Sequence, residues 1–90
     1  MTFSFLSTPE GQRIINYLRD FYALLDEIFN LNYSTVFNYV YVERSTLPRW
    51  ILAIKCNLSE STFFRYCKNI EATIKFCYEQ KLFASANLEK

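Results

Sequence analysis

The stretch Leu52-Ala53-Ile54-Lys55-Cys56-Asn57-Leu58-Ser59-Glu60-Ser61-Thr62-Phe63-Phe64-Arg65-Tyr66 has the layout of a helix, a tight turn and a second helix. Ala53 is small where two helices must cross closely, and Leu52 and Cys56 fall on one side of the first of them. Asn57 stands where the turn needs a left-handed backbone, which glycine adopts freely and asparagine tolerates. Leu58 plugs the core. The Ser59 hydroxyl is placed to accept from the Thr62 amide and so to start the next helix. Phe63, Tyr66, Ile70 and Ile74 continue an inward stripe at helical spacing. These local requirements agree, so residues 46–80 read as a helix-turn-helix with an extended second helix.

Upstream, Thr8-Pro9-Glu10 is a helix start: Thr8 caps free amides, Pro9 suits the first turn and Glu10 complements the dipole. Ile14, Leu18, Phe21, Leu25 and Ile28 then mark one buried side of a first helix spanning 8–30. A second apolar set, Ile15, Tyr22 and Phe29 with Tyr17 and Leu24, widens that stripe enough to suggest a central helix or a dimer interface. Asp26 and Glu27 read as its wet side. After the polar break at Asn30 to Ser34, Ser34 is the expected cap of a second helix over 34–43, with Val36, Phe37, Val40 and Tyr41 inward. The β-branched and aromatic run from Val36 to Val42 also suits a strand, and helix is preferred. The third helix is expected to start near Thr46, with Pro48 in its first turn and Trp50, Ile51, Leu52 and Ile54 in the core. The last helix is expected to reach Tyr78 or Leu82, before a frayed polar tail over 85–90.

One Gly and two Pro in 90 residues leave little punctuation for hairpins, and an aromatic fraction of 19% supplies a ring-rich core. The expected fold is an all-α single domain of four to five helices with a C-terminal helix-turn-helix. Cys56, Cys67 and Cys77 lack the close pairing of a zinc or redox site and read as small buried apolar residues. No signal peptide or span long enough for a bilayer is visible, so no membrane contact and a cytoplasmic setting are the expectations. The chain has no His, no Gly-rich phosphate loop and no carboxylate pair suited to acid–base work, so neither an enzyme nor a cofactor is expected.

If the Phe63 to Ile74 stripe points inward, Glu60, Ser61, Phe64, Arg65, Lys68 and Asn69 point outward, where the first turns of such a helix enter a major groove. Arg65 suits bidentate contact with guanine, and Ser61 or Thr62 a base edge or phosphate. Phe64 can pack on a thymine methyl or a sugar. Arg49, Lys55, Lys68 and Lys75 read as phosphate contacts. The candidate DNA-binding set is therefore Ser59, Ser61, Thr62, Phe64, Arg65, Lys68 and Asn69, with Arg49 and Lys55. Each has a plainer reading. Thr62 supports the capping turn equally well, Arg65 and Lys68 suit any solvated helix face, and an exposed Phe64 also suits a protein partner. Charge helps only modestly: residues 1–42 carry two basic and four acidic side chains, residues 43–90 eight and five, giving −2 against +3.

The segment from Tyr39 through Tyr78 resembles the ArpU and RinA-like regulators of phages in Gram-positive bacteria. The resemblance lies in Tyr39 and Tyr41, then Ile51 to Ile54, Leu58 to Lys68, and Ala72 with Phe76. It implies a sigma-region-4-like helix-turn-helix and a promoter-binding activator of late or packaging genes. The Ser59 to Arg65 phrase is also similar, as a second choice, to Mga-type regulators. Two classes of function follow. The first is a regulator that binds duplex DNA, with a homodimer suited to palindromic half-sites. The second is a helical module that binds RNA polymerase, another regulator or a host protein without touching DNA.

Overall fold

The computed structural model describes residues 4–80, and all regular structure among them is helical. A short 3-10 turn, Ser4–Ser7, leads into α1 (Pro9–Phe29). Next come α2 (Tyr33–Phe37), a wider helical turn (Asn38–Val42), α3 (Arg49–Lys55) and α4 (Glu60–Gln80). The tail over 85–90 and an end of α4 at Leu82 lie outside the described residues. The all-α fold with a C-terminal helix-turn-helix is thus present. The run 36–42 is helical, not a strand, although the Glu43 amide reaches back five residues to the Asn38 carbonyl at 2.7 Å. This looser winding accommodates side chains that crowd a regular helix.

α1 begins as its sequence dictates, with Thr8 Oγ1 accepting from the Gly11 amide at 3.1 Å. It ends at Asn30, whose left-handed backbone (φ 55°) directs its N–H to the Asp26 carbonyl. Its buried line is Gly11, Ile14, Ile15, Leu18 and Tyr22. Phe21 and Ile28, expected in the core, are exposed, as are Tyr17, Leu24 and Phe29. The reason is tertiary: among the described residues the other helices pack on the side of α1 that carries Ile14, Leu18 and Tyr22, and α4 reaches only the edge of the outer side, at Tyr17 and Phe21.

The cap of α2 also differs from the expectation. Asp26, on α1, accepts from the Tyr33 amide at 2.9 Å and the Ser34 amide at 2.7 Å, while the buried Ser34 hydroxyl has no hydrogen-bond partner. A carboxylate from the preceding helix outcompetes the local hydroxyl because it bridges two amides and carries a charge at a helix N-terminus. Asp26→Ala is therefore expected to cost about 1–2 kcal/mol in urea unfolding. Ser34→Ala should be neutral or slightly stabilising; the reverse order would restore Ser34 as the cap.

α3 starts at Arg49, not near Thr46. Pro48 holds an extended ψ of 150° and caps through its carbonyl, which accepts from Ile51 and Leu52 at 3.1 Å each. Its ring also disfavours helical geometry at Leu47. The short helix offers one face to α4, burying Leu52 and Ala53. Trp50 and Ile54, one turn apart and expected in the core, face outward at 55% and 66% exposure.

The core joins α1, α2, α3 and α4 through Leu18, Val36, Phe37, Leu52, Phe63, Ile70 and Ile74. Tyrosine rings brace the helices on one side. Tyr33 stacks on Tyr22 at 5.4 Å and on Tyr66 at 4.0 Å between ring centres, locking α1, α2 and α4 together.

Candidate nucleic-acid interface

The backbone hydrogen bonds that close α3 are set by the residues around Asn57. The Leu58 amide donates to Ala53 O at 2.9 Å and the Asn57 amide to Ile54 O at 3.0 Å, closing α3. This closure needs a left-handed residue, and Asn57 supplies it at φ 64°. Asn57→Ala is expected to cost about 1 kcal/mol and Asn57→Gly to be neutral or stabilising, read as unfolding midpoints. From the α1–α2 loop, the Asn32 amide group donates to the Cys56 carbonyl and anchors the turn to the core.

Ser59 then starts α4, its Oγ accepting from the Thr62 amide at 3.2 Å and donating to Thr62 Oγ1 at 2.8 Å. Phe63, Cys67, Ile70, Ile74 and Cys77 form the buried line of α4, with Tyr66 half-buried beside it. Ser59, Ser61, Phe64, Arg65, Lys68 and Asn69 are exposed, and Thr62 is intermediate.

These side chains do not all stand free. Thr62 Oγ1 sits 3.5 Å from the Arg65 guanidinium, so it braces both the turn and Arg65. Lys68 Nζ lies 5.6 Å from the Phe64 ring centre, a cation–π distance that covers part of the ring. Asn69 donates to Tyr33 Oη at 2.8 Å and thereby ties α4 to α2. The Ser61 hydroxyl lies 3.4 Å from Ser59 Oγ, and with these contacts in place Arg65 and Lys68, with Ser61 beside them, are the exposed polar groups best presented to a partner.

Arg49 and Lys55 sit at opposite ends of α3, both exposed. Arg49 comes up beside α4. With Glu60, Ser61, Phe63 and Phe64 it lines an open cleft of about 500 Å³, and with Tyr41, Phe64, Cys67, Lys68 and Glu71 a smaller one of about 210 Å³. Glu71 and Tyr41 were not foreseen at this site, since their approach to Arg49 depends on how the Asn38–Val42 turn and α4 pack. Burial raises the Cys67 thiol above the ordinary range, and the neighbouring Arg49 guanidinium opposes the shift. Burial also pushes the Tyr41 phenol well up, with Cys67 and Glu71 adding to it. Both groups therefore stay neutral near pH 7, and the charges of the smaller cleft are Arg49 and Lys68 against Glu71. The arrangement offers hydrogen-bond donors and two cations along one face. Among the described residues, no three His, Cys, Asp or Glu side chains are grouped to hold a metal ion, and no helix is long and apolar enough to cross a membrane.

A family model described as a protein of unknown function (DUF1492) matches residues 8–75. The chain belongs to this family. The match runs from the Thr8 cap of α1 to Lys75 within α4, so the DUF1492 segment contains α1, α2, α3 and most of α4, including every candidate interface residue. No curated protein and no solved structure matches the chain.

Proposed function

We propose that this DUF1492 member is a cytoplasmic, sequence-specific transcriptional regulator that lays the first turns of α4 in the major groove of duplex DNA. The observation that carries the reading is the α3–α4 turn. Asn57 and Ser59 fix the start of α4 so that Ser61, Arg65 and Lys68 project from one face beside Arg49. Arg65 is the candidate base reader, Ser61 a base or phosphate partner, and Lys68, Arg49 and Lys55 phosphate contacts. Thr62, Ser59 and Asn69 act by holding the face in place. The resemblance to ArpU and RinA-like proteins supports phage or mobile-element genes as the target.

Titrating the isotope-labelled chain with a mixed duplex pool tests this. Amide shifts are expected to cluster at Arg49 and 59–69 and to fade as salt rises. Unchanged spectra at low salt would contradict the reading. A second reading, a protein-interaction module for RNA polymerase, another regulator or a host protein, is favoured by the outward Trp50 and Ile54. It differs in leaving the α4 face unperturbed by DNA.

A further inference from the structure

Along α1, Tyr17, Phe21, Leu24 and Ile28 recur at spacings of four, three and four and are all exposed, Leu24 at 57% and Ile28 at 62%. That is the spacing of a helix–helix seam, about 16 Å long at the rise of an α-helix. Phe76 of α4 extends it, since Tyr17, Phe21, Thr73 and Phe76 line one groove between α1 and α4. We infer that a second copy of this chain covers the stripe, α1 packing antiparallel on α1 about a two-fold axis near Phe21.

Area and charge both point to a copy. The five exposed apolar side chains offer roughly 600 Å² per protomer, hence about 1,200 Å² in a pair, enough for a weak but specific interface. It is also a large apolar patch for a chain of this size. Along the solvent edge of the stripe, Arg13 stands near the start of α1 and Glu27 near its end, both exposed. They are about 21 Å apart along the axis. An antiparallel copy sets each Arg13 near the other's Glu27, and the two helix dipoles also oppose favourably. Asp20, mid-way along the same edge, meets its own copy; two opposite-charge contacts outweigh that one. α4 runs antiparallel to α1, its residues 73–77 beside 17–21 and Tyr66 beside Tyr33, so between Tyr66 and Gln80 it heads away from Leu24 and Ile28. The inference stands apart from DNA binding, since none of these residues lies on the proposed reading face.

Sedimentation equilibrium of the full chain over a concentration series tests it. The fitted mass is expected to rise from 10.8 kDa towards twice that value. Leu24→Glu with Ile28→Glu, both at exposed positions, should weaken association about tenfold or more while leaving the helical signal and melting temperature in place. Arg13→Glu should weaken it, and Arg13→Glu combined with Glu27→Arg should restore it. A single-chain mass at every concentration overturns the inference, whatever else covers the stripe. So does a doubled mass indifferent to the Leu24 and Ile28 changes, and failure of the charge exchange to rescue overturns the antiparallel arrangement.

Discussion

Phe63→Ala is expected to cost about 3–5 kcal/mol and to leave much of the chain unfolded at physiological temperature. Phe63 has no exposed surface, sits in the first turn of α4 and belongs to the core that α1, α2 and α3 share. Truncation removes a ring where several elements meet, and the cavity cannot close without moving α4 off the turn at Ser59. Urea unfolding followed by circular dichroism reads the loss directly. Phe64→Ala, at the next residue, is expected to change stability by less than about 0.5 kcal/mol, because that ring is largely exposed. A similar cost for the two would mean that α4 is rotated about its axis relative to the arrangement described.

Arg65→Ala with Lys68→Ala is expected to lower affinity for duplex DNA about 10- to 100-fold at low salt while leaving the fold intact. The two substitutions should differ in kind. Losing the Lys68 phosphate contact removes about one unit of the slope of log affinity against log salt and weakens all sequences alike. Losing Arg65, if it reads guanine, costs about 1–3 kcal/mol on the preferred sequence and much less on random duplex. Since Glu60 and Glu71 line the same clefts as Arg49, the total slope should be shallow compared with that of a strongly basic reader.

What was legible in the sequence is what depends on neighbours along the chain. Thr8 before Pro9, Asn57 at the end of α3 and Ser59 before α4 each form a bond or a backbone state within four residues of themselves, and all three are as expected. The stripe of Phe63, Ile70 and Ile74 was legible because α4 is long and periodic enough to average over local ambiguity. Asp26 escaped because a carboxylate on a helix surface looks solvated until the loop from Asn30 to Asn32 brings the next helix's amides to it. Trp50, Ile54, Phe21 and Ile28 escaped for the converse reason. Apolar spacing says that a face is suited to burial, not which partner arrives, and here, among the described residues, α3 and α1 each have a side left open. Asn69 shows the same limit at the candidate interface: spacing put it on the outer face, but Tyr33, thirty-six residues earlier, occupies its amide.

DNA binding through α4 is tested most directly by fluorescence anisotropy of a labelled mixed duplex pool, titrated with the chain at low and at physiological salt, with the Arg65→Ala, Lys68→Ala variant alongside. The predicted result is binding at low salt that weakens as salt rises and largely disappears in the variant. Absence of binding at low salt, or binding that the variant retains in full, would contradict it.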